Sequence, residues 1–197
     1  MITGIGQGYI QTTPIQLCLM TAQIANGGYK IYPNLVINED NSKKLDKFIP
    51  LYKNSKNITI IQDAMFSSTN EVMGTSYRSR IDNIKYQFAG KTGTAQVKKI
   101  TEKDRELDLK TFQIPYEEKD HALYVAFGPY KQPRYALSIL VEHGGNGSTT
   151  AAPMAKKLFK LVIDRHELRQ SIKDKRYMDI WCTNIQDLTK IIWIYHF

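Results

Sequence analysis

The chain has 197 residues, 42% of them hydrophobic and 23% charged, the make-up of a folded globular protein with a sizeable core, which excludes disorder throughout. A formal charge of +8 and a pI near 9.3 suit a nucleic acid, an anionic membrane surface or an acidic polymer alike, so charge by itself selects no partner. The two cysteines, Cys18 and Cys182, lie far apart and support neither a zinc site nor a disulfide framework.

The opening segment, MITGIGQGYIQTTP, has no basic leader region and no apolar run of membrane-spanning length, so the expectation for this chain made alone is a cytoplasmic location. The first predicted element starts at Thr13, with Pro14 at the first helical position and Gln16 three residues after the cap, a capping box. Leu17, Met20 and Ile24 repeat at helical spacing, and Asn26-Gly27-Gly28 stops a helix of roughly four turns. Residues 29–36 read as a short β-prone stretch around Pro33, followed by a polar surface loop. A second helix is predicted from about Thr59 to Gly74, with Ile61, Ala64, Met65, Ser68 and Val72 on one face.

The period then becomes alternating. Ile84, Tyr86 and Phe88 face one way and Lys85 and Gln87 the other, which predicts one long strand continuing through Thr92, Thr94 and Val97. After a charged stretch, residues 122–130 and 134–145 read as two further strands joined by a turn containing Gly128, Pro129 and Pro133. A third helix is predicted from Ala152 or Pro153 to Asp164, with Met154, Leu158, Leu161 and Val162 as its apolar stripe. Helices set before and after a run of strands predict an α+β fold built on a three-stranded antiparallel meander packed with helices. The segment from Arg165 is charged and ends in IIWIYHF, whose periodicity does not separate helix from strand. No internal repeat is present.

Gly90-Lys91-Thr92 has the ending of a phosphate-binding loop, but such a loop needs a glycine five residues earlier and a helix afterwards. Position 85 is Lys85, and Gly93 to Val97 is poor helix-starting material. Gly4 to Gly8 likewise fails as a dinucleotide fingerprint, because no strand precedes it and Tyr9 stands where the third glycine belongs. On a strand, Lys91 and Gly93 fall on one side and Thr92 and Thr94 on the other. There the lysine can meet a carboxylate or move a proton, Gly93 lets a ligand approach the backbone, and a strand amide can stabilise an oxyanion. No histidine pair has zinc spacing, so no metal is expected. The aromatics Tyr124, Phe127, Tyr130 and Tyr135 read as packing rather than as a stacking platform for bases, and no nucleic-acid partner is expected.

The segments GIGQGYIQTTPIQL, AGKTGTAQV, HALYVAFGPY and ALSILVEHGGNG followed by AAPMA, in this order, resemble the C-terminal half of the transpeptidase domain of class B penicillin-binding proteins of the elongation type, over about Thr3 to Asp164. The resemblance implies a partial β-lactamase/transpeptidase-like fold whose complete sheet has five strands, in a protein anchored in the inner membrane with its domain in the periplasm. It implies acyl transfer from a D-Ala-D-Ala stem peptide of peptidoglycan through a serine ester, with no cofactor, and β-lactams as partners. It also implies that Lys91 and Thr92 bind the substrate carboxylate and that the Thr94 amide supplies half of an oxyanion hole beside Gly93. Residues 1–164 would be the transpeptidase part and 165–197 a divergent tail.

A nucleophilic serine in this family stands three residues before a lysine, one helical turn away. None of the nine serines here is followed by lysine at that distance. Two serine-x-asparagine matches, Ser55 to Asn57 and Ser68 to Asn70, fall in the wrong order and are read as chance. In the family, two strands and the nucleophile helix precede Gly4, so an exposed sheet edge is expected, together with a lone chain that does not react with penicillin. The expectations that remain are a transpeptidase portion completed by an N-terminal segment, or a non-catalytic binding module of the cell-wall elongation complex.

Overall fold

The computed structural model describes residues 11–33, 49–97, 113–173 and 191–196. Helix α1 spans Pro14–Ala25 and begins as the sequence requires: the Thr13 hydroxyl accepts from the Gln16 N–H, and the Gln16 side chain accepts from the Thr13 N–H at 2.8 Å. It ends where Gly27 and Gly28 adopt φ of 90°, a left-handed backbone that a Cβ disfavours. The buried face is Cys18, Thr21, Ala22, Ile24 and Ala25, not the expected Leu17-Met20-Ile24 stripe; Met20 is 41% exposed. Small side chains let this helix lie close on the sheet, and the Cys18 thiol donates to the Ala136 carbonyl. Of the β-prone stretch at 29–36, Tyr29 makes an isolated bridge to Pro50, and 34–36 lie outside the described residues.

Helix α2 spans Ser55–Asn70, about one turn earlier than expected, because Asn54 caps it by accepting from the Lys56 N–H. Its buried residues are Ile58, Met65 and Thr69. Ile61 and Val72, placed on the core face by periodicity, are exposed, and Val72 lies past the helix end. The long predicted strand is also corrected. Residues Ile84–Tyr86 form a 3-10 turn capped by the Asn83 side chain, which accepts from the Lys85 N–H, and strand β1 covers only Ala89–Ala95. The turn is held outward by ion pairs from Lys85 to Asp164 and Glu167, and by the Tyr86 hydroxyl donating to Asp164.

Strands β2 (His121–Gly128) and β3 (Tyr135–Val141) complete the antiparallel meander, and β4 (Ile191–His196) adds a fourth strand. The sheet order is β1-β2-β3-β4, with Lys91 opposite Val125, Thr94 opposite Ala122, and Tyr124 opposite Ile139. The edge of β3 away from β2 is paired to the C-terminal strand from Tyr135–His196 to Leu140–Ile191, and β1 is the edge on the other side. Helix α3 runs Ala151–Lys173, longer than the expected 152–164.

The two sheet faces bury different sets. On one, Phe88, Ala122, Tyr124, Ala126, Leu137 and Ile139 meet Ala151, Ala152, Ala155, Phe159 and Ile163 of α3. On the other, Ala89, Phe127 and Ala136 meet Ala22, Ile24 and Ala25 of α1 and Met65 of α2. The expected α3 stripe is therefore shifted: Met154, Leu158 and Val162 only flank the core, and Leu161 is 57% exposed. Alanines at the α3 contact bring the helix axis near the sheet, and Phe159 stacks on Phe88 at 4.8 Å. The α+β class with an antiparallel meander packed by helices is the architecture found.

Candidate active site

Strand β1 is the edge of the sheet, and how it is held decides what it offers. On the side away from β2, the Asn70 side chain of α2 donates to the Phe88 carbonyl at 3.0 Å, and the Thr69 hydroxyl donates to the Gly90 carbonyl at 3.4 Å. In an antiparallel strand the N–H and C=O of one residue point to the same side, and successive residues alternate. Phe88 and Gly90 turn away from β2, so Thr92 and Thr94 also turn their backbone groups to that open edge, while Lys91 and Gly93 bond to β2. Among the described residues the edge is thus clamped by α2 over its first half, while over its second the Thr92 carbonyl accepts only from the Lys91 ammonium.

Gly90 fits because of what lies behind it. A Cβ at this position would stand 2.4 Å from the Tyr124 hydroxyl oxygen. Tyr124 is fully buried, and its hydroxyl shares hydrogen bonds with Thr69 Oγ1 and Ser76 Oγ, both at 3.0 Å. Burial pushes the Tyr124 phenol up, so it stays protonated and able to donate. Ser76 in turn donates to the Ser68 carbonyl at the end of α2. This network ties β2, α2 and β1 together behind Gly90.

Lys91 is exposed, and its ammonium donates to the Thr92 carbonyl at 3.1 Å, with the Thr92 hydroxyl at 3.4 Å. Among the described residues no carboxylate pairs with it; the ion pairs there belong to Arg80 and Lys85. Lys91, Thr92, Gly93 and Thr94 all line one cavity of about 1130 Å³ between β1 and the start of α1, with Thr13, Leu17 and Met20 on the opposite wall. This explains the exposure of Met20: it faces the cavity rather than the core. Lys91 also borders a smaller hollow of about 500 Å³ beside Ser67, Ser68 and Glu71.

The four residues singled out from the sequence therefore lie together on the wall of a cleft, with one exposed cation, two hydroxyls and an edge backbone. Such a set can bind a carboxylate and polarise a carbonyl oxygen. Asn70, read from sequence only as a chance match, instead holds β1, while Asn57 sits in the first turn of α2. Sequence reasoning missed Thr69, Asn70, Ser76 and Tyr124. The only local signal was the glycine before Lys91, which marks a close approach without saying to what. His121 lines the cleft, with its Nδ1 accepting from the His143 N–H at 3.0 Å. His143 is held at φ 51° with its own Nδ1 at 3.1 Å from the Lys119 carbonyl oxygen, a structural arrangement at the strand ends. No group of three or more potential metal ligands occurs among the described residues.

Over most of its length the chain is similar to known proteins. Residues 1–160 match the family model described as the penicillin binding protein transpeptidase domain. A peptidoglycan D,D-transpeptidase MrdA of Salmonella typhimurium is 32% identical over 168 residues, covering 82% of this chain and 26% of that protein. A penicillin-binding protein (PBP2) of Helicobacter pylori, solved in complex with MreC, superposes with a TM-score of 0.62 at 34% identity, covering 85% of this chain and 27% of that one. PBP2 of Pseudomonas aeruginosa, solved with the compound WCK 5153, superposes with a TM-score of 0.62 at 34% identity over 81% of this chain and 32% of that one. The chain spans about a quarter of the length of the curated relative it matches.

Proposed function

Because the chain belongs to the penicillin-binding protein transpeptidase family, we propose that its β1 edge forms the carboxylate- and oxyanion-binding half of a serine acyl-transfer site acting on peptidoglycan stem peptides and on β-lactams. The observation that carries this is the second half of β1, where an exposed ammonium that meets no carboxylate among the described residues and an outward strand amide line one cleft. Lys91 and Thr92 bind the terminal carboxylate, the former by charge and the latter by its hydroxyl. The Thr94 N–H donates to the carbonyl oxygen as negative charge develops on it. Gly93 keeps the strand flat enough for the peptide to lie alongside.

The attacking hydroxyl and the base that takes its proton come from polypeptide outside these 197 residues, since no serine here precedes a lysine by three. The chain alone therefore binds the acid end of a substrate without forming an ester. Residues 1–164 act as the site-bearing portion and 165–197 as an appended segment whose strand closes the sheet edge. No described helix is long and apolar enough to cross a membrane; anchoring, and the periplasmic setting that a peptidoglycan substrate requires, are assigned in this reading to the remainder of the protein.

Fluorescent penicillin tests the reading. The lone chain stays unlabelled, and co-expression with a segment carrying a serine-x-x-lysine motif restores labelling. In that assembly Lys91→Ala lowers the labelling rate by roughly 10- to 100-fold, the loss of about 1.5–3 kcal/mol for a charge-assisted contact. Labelling of the lone chain would refute it. A second reading is a non-catalytic binding module of the elongation complex, favoured by the solved assembly of a similar protein with MreC. It predicts a partner captured equally well by wild type and Lys91→Ala, with no labelling in any combination.

A further inference from the structure

Between the short turn Tyr77–Ser79 and the first turns of α3 lies a hollow of about 770 Å³ whose described lining includes no residue of β1, although Gly74 and Thr75 also line the smaller hollow beside Lys91. Arg78 stands on one wall, Lys156, Lys157 and Lys160 on the other, and among the described residues no aspartate or glutamate lines it. Lys156 and Lys160 are four residues apart on one helix, and Lys157 and Lys160 three apart, so their ammoniums repel by a few tenths of a kcal/mol per pair. Of the acidic residues on α3, Asp164 and Glu167 are both paired to Lys85, and Asp164 also feels the charge of Lys160 four residues before it. The positive end of the α3 dipole opens at the same place, adding to the field rather than offsetting it.

Four cations facing one concavity, with no acidic side chain among the described residues of its wall, ask for more negative charge than one carboxylate carries. A phosphate group supplies two charges and several acceptor oxygens, enough to engage separate ammoniums and the planar fork of an arginine together. We propose that this hollow binds a phosphate-bearing ligand of at least two negative charges, either a soluble phosphate compound or the headgroup of an anionic lipid.

The test is calorimetric titration of the 197-residue chain with inorganic pyrophosphate at low ionic strength, where exposed charges are least screened. Sedimentation with phosphatidylglycerol vesicles and with phosphatidylcholine vesicles runs beside it. Saturable single-site binding of pyrophosphate is expected, weakened at least tenfold in Lys156→Gln/Lys160→Gln and unchanged in the control Lys53→Gln/Lys131→Gln, which removes the same charge elsewhere. Both doubles change exposed or half-buried side chains, and an unaltered thermal midpoint confirms their fold. Binding confined to phosphatidylglycerol vesicles, with the same variant pattern, supports the site and assigns its source to lipid. Absence of saturable binding to every probe overturns the proposal. So does equal weakening by the control pair, or tricarballylate binding as tightly as pyrophosphate.

Discussion

Replacing Gly90 by alanine isolates the device that positions β1. The added Cβ would stand 2.4 Å from the Tyr124 hydroxyl oxygen, 2.6 Å from its Cζ and 2.7 Å from its Cε1. The ring has no free direction: it is fully buried, edge-on to Phe88 with centroids 6.4 Å apart, and hydrogen-bonded through its hydroxyl to Thr69 and Ser76. Overpacking of this kind costs about 1–3 kcal/mol. Shifting the phenol weakens two buried hydrogen bonds at about 1 kcal/mol each, whereas the restricted unfolded chain returns about 0.4–1 kcal/mol. The net loss is about 2–4 kcal/mol, read as a lower urea midpoint at unchanged slope. Tyr124→Phe removes the nearest atom of the clash, so the double variant loses less than the sum of the singles, by at least about 0.5 kcal/mol. Gly90→Ala as stable as wild type, or strict additivity with Tyr124→Phe, would refute the claim that the phenol dictates this glycine.

Asn70→Ala leaves the buried Phe88 carbonyl without its side-chain donor and is expected to destabilise by about 1–3 kcal/mol; exchange of the β2-bonded amides of Ala89 and Lys91 quickens beyond that of a surface control if Asn70 clamps the edge. Tyr130 is pushed up to about 12, first by burial and then by its hydrogen bond to Asp63. A raised phenol favours the folded state fully below pH 10, its ordinary value, and that contribution is lost as pH rises through about 12. Tyr130→Phe therefore flattens the stability profile in that window, and Asp63→Asn leaves Tyr130 titrating above 10 because burial is the larger cause. An Asp63→Asn chain with Tyr130 back at 10 in a tyrosinate absorbance titration would reverse that order of causes.

Signals carried within a few residues were legible in the sequence. Thr13-Pro14-Gln16 started α1 and Gly27-Gly28 ended it because a cap or a left-handed turn is satisfied by its own neighbours. The α+β order, the meander and the grouping of Lys91 to Thr94 on a strand followed from alternation and turn chemistry of the same short range. Helix faces were decided by tertiary packing. Alanines against the sheet, not the larger Leu17, Met20 or Leu161, became the contact surface, since close approach buries more of both partners than bulk at the interface would.

The strand at 84–88 failed for a related reason: its alternation was real, but Lys85 and Tyr86 found partners on α3, 78 or more residues away, and turned the segment outward. Sequence alone determined which residues could bind an acid group. Only the folded chain decided that they stand on an edge clamped over part of its length, because the clamp is made of Thr69, Asn70 and Tyr124, whose roles exist only where α2, β1 and β2 meet.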